Sequence, residues 1–249
     1  MKKLVVAIDG PAGAGKSTIA KLAAEKLGYA YIDTGAMYRS VAWKFLQTGE
    51  VFDEAFISKL SQEMVIEFKP EANVNRVFVD GTEVTAAIRS AEVTANVSRV
   101  AAIGAVREAM VDQQRRMGEA GGVLMDGRDI GTVAFPNAEV KIFLTATVEE
   151  RAMRRYKELV AKGEQVDLEQ LQKDIAERDK QDMEREISPL RQAEDAIYLD
   201  TSDMNIDEVT AYILNLVGEK ENALCYFSRY CEVYFKSSFH YFPAYGCKR

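Results

Sequence analysis

The stretch Leu4-Val5-Val6-Ala7-Ile8-Asp9-Gly10-Pro11-Ala12-Gly13-Ala14-Gly15-Lys16-Ser17-Thr18 decides how the rest of the chain is read. Leu4 to Ile8 is a short, unbroken apolar run of the kind that a parallel strand buried on both faces produces. The run stops at Asp9, and Gly10 to Ser17 fits G-x-x-x-x-G-K-[ST] at every specified position. From Ser17 the spacing predicts a helix to Leu27, with Ile19, Ala20, Leu22, Ala23 and Leu27 inward and Gly28 as its C-terminal cap. Strand, glycine-rich turn and helix in that order make a phosphate cradle. Glycines let backbone N–H groups converge on phosphate oxygens without Cβ clashes. The helix N-terminus adds partial positive charge. Lys16 would reach the β- and γ-phosphates, and Ser17 would offer its hydroxyl to an octahedral Mg2+. Gly10, Pro11, Ala12, Gly13, Ala14, Gly15, Lys16, Ser17 and Thr18 are therefore the candidate ATP-binding residues. The motif predicts nucleoside triphosphate binding, but not what is done with the nucleotide.

Working outward, Tyr29–Asp33, Gly122–Asp126, Val140–Leu144 and Ala196–Asp200 read as further strands, and Gly35–Leu46 and Ile206–Val217 as helices. Alternation of this kind implies a parallel α/β sheet with right-handed crossovers. Residues 64–85 change character: Val65-Ile66-Glu67-Phe68 and Arg76-Val77-Phe78-Val79 are β-rich, and Asp80-Gly81 is a hairpin signal. Helical spacing returns from Ala91 to about Met117, with Val93, Val97, Val100, Ala101 and Val106. Residues 147–186 are dense in charge and read as two exposed helices joined near Gly163.

At 249 residues, 47% hydrophobic and 29% charged, the chain fits one large domain with small insertions. It has no run long and apolar enough to span a membrane. Met1-Lys2-Lys3 and the five apolar residues behind it lack a cleavage site, so they read as the start of a cytoplasmic protein. A net charge of −7 argues against general nucleic-acid binding. All three cysteines and the single histidine lie in the last 25 residues. Chemistry in residues 1–224 must then run without an imidazole base or a thiolate, which disfavours hydrolases of the Ser-His-Asp type. Phosphoryl transfer needs neither, because it is mostly positioning and charge neutralisation by Arg and Mg2+. The N-K-x-D and D-x-x-G patterns of a GTPase switch do not occur.

A kinase needs a second phosphate site on the same rim, and two stretches that follow predicted strands supply candidates. Asp33-Thr34-Gly35-Ala36-Met37-Tyr38-Arg39 offers Thr34 and Arg39, and Asp126-Gly127-Arg128-Asp129-Ile130-Gly131 offers Arg128 and Asp129. A helix cap with a surface Arg and a structural Asp–Arg pair are the plain readings of the same stretches. Arg151, Arg154 and Arg155, and Arg178, Asp182 and Arg185, share helix faces. They read as a solvated face or as a closing lid.

These stretches, with Arg178-Asp179 through Ser188-Pro189-Leu190, closely resemble the bacterial cytidylate kinases, the (d)CMP kinases of the nucleoside monophosphate (NMP) kinase group. The resemblance runs from residue 2 to about 219. Asp126-Gly-Arg-Asp-Ile-Gly-Thr132 and the β-rich insertion are its most specific parts. It implies an α/β fold: a P-loop NTPase-type parallel sheet flanked by helices, a small β-containing NMP-binding insertion and a short helical lid. The corresponding division is core at 1–38, 97–146 and 187–219, insertion at 39–96, lid at 147–186 and an atypical extension at 220–249. The implied reaction takes ATP and CMP or dCMP to ADP and CDP or dCDP with Mg2+. By matching position, Thr34, Arg39 and Arg128 would contact the CMP phosphate, and Ser98, Arg107 and Asp129 the cytosine. Arg178, Asp182 and Arg185 would serve the ribose and the transferring phosphates. Lys16, Arg128, Arg178 and Arg185 would be the catalytic cations, Ser17 the metal ligand, and Arg151, Arg154 and Arg155 lid cations. A UMP or AMP kinase, and a P-loop regulatory ATPase or binding module, are the alternatives.

The segment from Glu221 to Arg249 has no counterpart in that family and reads as a lineage-specific extension. Its Cys225, Cys231, His240 and Cys247 are spaced more widely than structural zinc sites use. No heptads or self-complementary stripe appear, so a monomer is expected.

Overall fold

The computed structural model describes residues 3–71 and 74–238, with side chains described as far as Leu224 and not at Val74. The elements follow as β1 (Val5–Asp9), α1 (Lys16–Leu27), β2 (Ala30–Asp33), α2 (Thr34–Thr48), α3 (Glu54–Glu63), β3 (Ile66–Glu71), β4 (Val74–Val79) and β5 (Thr82–Glu83). They continue as α4 (Ala91–Ala101), α5 (Gly104–Gly118), β6 (Val123–Gly127), β7 (Val140–Thr145), α6 (Val148–Ala161), α7 (Leu168–Glu184), β8 (Ile197–Asp200) and α8 (Ile206–Ser238). β2, β6, β1, β7 and β8 pair in that order into a five-stranded parallel sheet, and β3, β4 and β5 form a separate antiparallel one. This is the expected α/β architecture.

β1 lies at the middle of the sheet, so both its faces must be apolar. Val6 and Ile8 pack with Ile19, Ala20 and Ala23 of α1 and Ile213 and Val217 of α8. Val5 and Ala7 face the opposite layer, with Met37 and Val41 of α2 and Val106 and Met110 of α5. The two-residue period of a strand makes that division. Register then sets the site. Ile8 lies opposite Asp126, Asp9 opposite Gly127, and Asp33 opposite Asp126. The strands carrying the phosphate loop and both candidate acceptor stretches therefore end on one rim.

The hairpin expected at Asp80-Gly81 joins β4 to β5, with φ of 47° and 80° at its two turn residues. This is the left-handed pair that a two-residue turn of this kind requires. The helical stretch Ala91–Met117 is two helices: Ile103 is extended and buried, and it separates α4 from α5. The apolar spacing Val93, Val97, Val100, Ile103, Val106 runs through the break without a skip, so the pattern conceals it. One reading changes. The closing helix does not stop near Val217, because α8 continues to Ser238. Past the expected core boundary, Glu221 accepts a 2.6 Å hydrogen bond from the Tyr29 hydroxyl, whose oxygen accepts from Leu4 N–H at 3.1 Å. The Cys225, Cys231, His240 and Cys247 side chains lie outside the described ones.

Gly10 turns the chain out of β1 at φ 151°, and a Cβ there would lie 1.9 Å from the Leu144 carbonyl oxygen of β7. Backbone cannot yield as a side chain does, so Gly10→Ala should cost at least about 3 kcal/mol from overpacking and strain. That corresponds to a fall in Tm of about 6–12 °C for a chain of this size. Gly163→Ala has φ 82° but nothing within 4 Å, and should cost at most about 2 kcal/mol. Equal losses in thermal unfolding would show that the approach of β7 is not the constraint.

Candidate active site

The phosphate loop folds as its sequence expects: Gly13 and Gly15 take positive φ, and α1 starts at Lys16. The Lys16 ammonium donates to the Pro11 carbonyl at 2.7 Å. Burial, and after it repulsion from Arg128, push Lys16 well below its usual pKa.

Asp126, at the end of β6, joins the loop to the acceptor side. Its Oδ2 accepts from Ser17 Oγ at 2.8 Å, its Oδ1 from the Tyr31 hydroxyl at 2.8 Å, and its carbonyl from Thr34 Oγ1 at 2.7 Å. Burial, then repulsion from Asp33, push its carboxyl up to about 6. A serine hydroxyl against a buried carboxylate is the all-oxygen pair that suits Mg2+, which keeps waters and phosphate oxygens as its other ligands. Sequence reading named Ser17 alone for the metal, although an acidic residue closing a buried strand was its signal for Asp126. One strand over, Asp9 accepts from Ile130 N–H at 2.8 Å and Gly131 N–H at 2.7 Å. Asp9 thus fixes the turn that carries Arg128 and Asp129.

Beyond Asp126 the arginines gather. Arg107, fully buried, donates to Asp129 Oδ2 at 2.6 Å and to the Ala101 carbonyl at 3.0 Å, with its guanidinium 4.9 Å from the Tyr38 ring centre. Ser98 lies half-buried one turn before Ala101. Arg128 donates to Asp182 at 2.7 Å. Arg185 stands 3.6 Å from Asp182 and 3.8 Å from Asp129. Arg39 donates to Thr94 Oγ1 at 2.9 Å and to the Ile88 carbonyl at 3.3 Å. Arg89, which sequence reading passed over, pairs with Asp33 at 3.2 Å.

The cations crowd one another. Lys16, Arg39, Arg178 and Arg185 all have pKa values pushed down, first by burial and next by a neighbouring cation. For Arg178 the fall is to about 10, with Arg128 the repelling neighbour. Arg178 Nε and Arg185 Nη2 are buried without a hydrogen-bond partner. Asp182 is held below the usual carboxylate range, because Arg128, Arg178 and Arg185 together outweigh its burial. Partly buried cations crowded on one rim, two of them with a buried N–H left unpaired, make a receptor for polyanions.

The three arginines expected as lid cations take different places. Arg151 is buried, donating to the Ala146 carbonyl at 2.9 Å and the Ala12 carbonyl at 2.8 Å. Arg154 donates to the Thr201 carbonyl at 2.6 Å and pairs with Glu150 at 3.0 Å. Arg155 is half-exposed and pairs with Glu158 at 2.8 Å.

The cytidylate kinase family model matches residues 6–219. The chain belongs to the cytidylate kinase family. It is 52% identical over 223 residues to the cytidylate kinase of Ligilactobacillus salivarius, covering 89% of this chain and 100% of that protein. It is 54% identical over 220 residues to that of Bacillus subtilis and 55% identical over 220 residues to that of Listeria innocua, each time covering 88% of this chain and 98% of the relative. Cytidylate kinases are phosphotransferases. The three strand-end loops of the parallel sheet are the candidate site for that activity.

Asp9 gives this site a pH signature. Burial pushes its carboxyl up to about 6 from an ordinary 3.8. The folded protein thus holds the proton between about pH 4 and 6, where the unfolded chain has lost it. The stabilisation is complete below pH 3.8 and is lost as pH rises through about 6. Asp9→Asn should flatten that fall by up to about 1.4 kcal/mol per pH unit inside the window and not above it. Denaturant unfolding of both proteins at pH 4.5, 5.5 and 7.5 measures the difference. Parallel profiles would show that Asp9 titrates normally.

Proposed function

We propose that the chain transfers the γ-phosphoryl group of ATP to CMP or dCMP by direct in-line displacement, releasing ADP and CDP or dCDP. The observation that carries this reading is the crowding of mutually repelling cations between Lys16 and the Arg107–Asp129 pair, with Arg178 Nε and Arg185 Nη2 buried and unpaired. Two sets of phosphates on one rim would satisfy it. Lys16 and the N–H groups at the start of α1 hold the donor, and Arg39 and Arg128 hold the acceptor phosphate. Arg178 and Arg185 neutralise charge on the group in flight. Thr34, bonded to the Asp126 carbonyl, keeps the acceptor loop in register with the donor loop. Asp182 orients Arg128 beside the ribose. Ser17 and Asp126 would hold Mg2+, which would supply positive charge against the donor phosphates. The acceptor phosphate is ionised at neutral pH, so no general base is needed.

The Asp129 carboxylate favours cytosine, with an amine donor at N4, over uracil, with an acceptor there. Arg107 holds Asp129 in place through Oδ2 and, with Ser98, faces the acceptors at N3 and O2. A mismatched buried polar group costs about 1–3 kcal/mol, or about ten- to a hundredfold in selectivity. With every site residue on one chain, the enzyme would act as a monomer, working on the nucleotides of the cytoplasm.

A coupled assay over CMP, dCMP, UMP and AMP tests the substrate. CMP or dCMP should lead UMP in kcat/KM by at least about tenfold. A preference for UMP or AMP, or ATP hydrolysis that needs no acceptor, would overturn the reading. Lys16→Ala should lose about 10²–10³-fold in kcat with an unchanged fold by circular dichroism. Asp129→Asn should lower kcat/KM for CMP while KM for ATP holds. Asn is the informative change because Ala would strand Arg107 as an unpaired buried charge, at about 3–5 kcal/mol.

A further inference from the structure

α7 is a 17-residue helix with two buried residues, Ile175 and Asp179, four apart on one face. That face meets the phosphate loop. A Cβ on Gly13 would lie 3.4 Å from Arg151 Cβ and 3.7 Å from Ile175 Cδ1. Asp179 Oδ1 accepts the Ala12 N–H at 3.1 Å, and Asp179 Oδ2 pairs with Arg151 Nη1 at 2.6 Å. The same Nη1 donates to the Ala12 carbonyl at 2.8 Å, while Arg151 Nε donates to the Ala146 carbonyl at 2.9 Å, between β7 and α6. Both backbone polar groups of Ala12 are thus held by one buried ion pair drawn from two helices. Asp179 directly follows Arg178 and lies one turn before Asp182, the partner of Arg128.

We propose that Asp179 and Arg151 are positioning residues that clamp Ala12. The clamp sets the phosphate loop for the donor nucleotide. The inference rests on the reading of the loop as the ATP site. It divides the loop in two: Ala12 is bound to the helices, and the N–H groups from Gly13 onward are left for phosphate. An ion pair this deeply buried is poor value for stability alone, since two charges lose their hydration to form it. It is strong in direction, because a guanidinium fork and a carboxylate fix orientation as well as distance. An apolar residue following the Ile175 face would dock α7 without specifying where Ala12 sits.

The test uses Asp179→Asn and Arg151→Lys, which keep size and, for Arg151, charge while breaking the fork. Titration calorimetry of the full chain with a non-hydrolysable ATP analogue and Mg2+, and separately with CMP, is paired with steady-state kinetics. Both variants should weaken the analogue by about tenfold or more, raise KM for ATP to match, and leave KM for CMP within about threefold. Ile175→Val loosens the same helix face without touching the hydrogen bonds. It should leave KM for ATP within about twofold, which a merely structural role for the pair would not allow. Unchanged or tighter ATP binding in Asp179→Asn, with the wild type binding normally, would overturn the clamp. A wild type that binds no ATP analogue would overturn the site reading itself. Should Asp179→Asn fail to fold, Arg151→Lys carries the same comparison.

Discussion

Positive charge crowded together and partly withdrawn from water is the constraint on which this structure turns. Lys16, Arg39, Arg178 and Arg185 each lose part of their basicity to burial and to one another. Such an arrangement works against the folded state and survives because the rest of the protein holds it in place. Asp129 and Asp182 each bind one arginine closely, Arg107 and Arg128, and stand at 3.8 and 3.6 Å from a second, Arg185. The carboxylates fix the guanidinium positions without cancelling their charge.

The sheet makes the crowding possible. Three adjacent parallel strands, β2, β6 and β1, end together, so three loops that are far apart in sequence share one rim. The links between them are carboxylates and hydroxyls. Asp9 of β1 holds the Ile130–Gly131 turn beyond β6, and Asp126 of β6 holds Ser17 of α1 and Tyr31 of β2. Thr34 bonds back to the Asp126 carbonyl. Both aspartates have carboxyls raised to about 6, so each also carries a cost for being ionised where it is. Preorganisation of this kind places polar groups before substrate arrives, and catalysis by electrostatics depends on it.

What could be read from sequence follows from how local each signal is. The glycine-rich turn, the strand before it and the Asp80-Gly81 hairpin are specified by neighbours within a few residues, and all appear as expected. The break at Ile103 is set by burial of that side chain and by the Arg107 bond to the Ala101 carbonyl, and the apolar period shows neither. α3, capped by Asp53, went unread because only Ile57, Leu60 and Ser61 bury, too short a stripe to stand out. Arg151 looks in sequence like one more cation on a charged helix. Its inward role depends on Ala12, 139 residues away, and helix spacing carries no information at that range. Asp179, hidden in a run of alternating charges, is the same case.

Those two residues also bear on how the charged helices can move. α6 and α7, the helices of the expected lid, both touch the phosphate loop. Arg151 stands in the first turn of α6, and Asp179 in the second half of α7. A rigid swing of the pair would carry the Arg151–Asp179 ion pair along intact, but it would break both hydrogen bonds to Ala12 and leave that backbone unpaired. The connection around Gly163, between the helices, has no such anchor, and a Cβ there would meet open space. Motion that spares the clamp is confined to that distal half. Arg155 lies on the distal side of Arg151, half-exposed and close enough to repel Arg39.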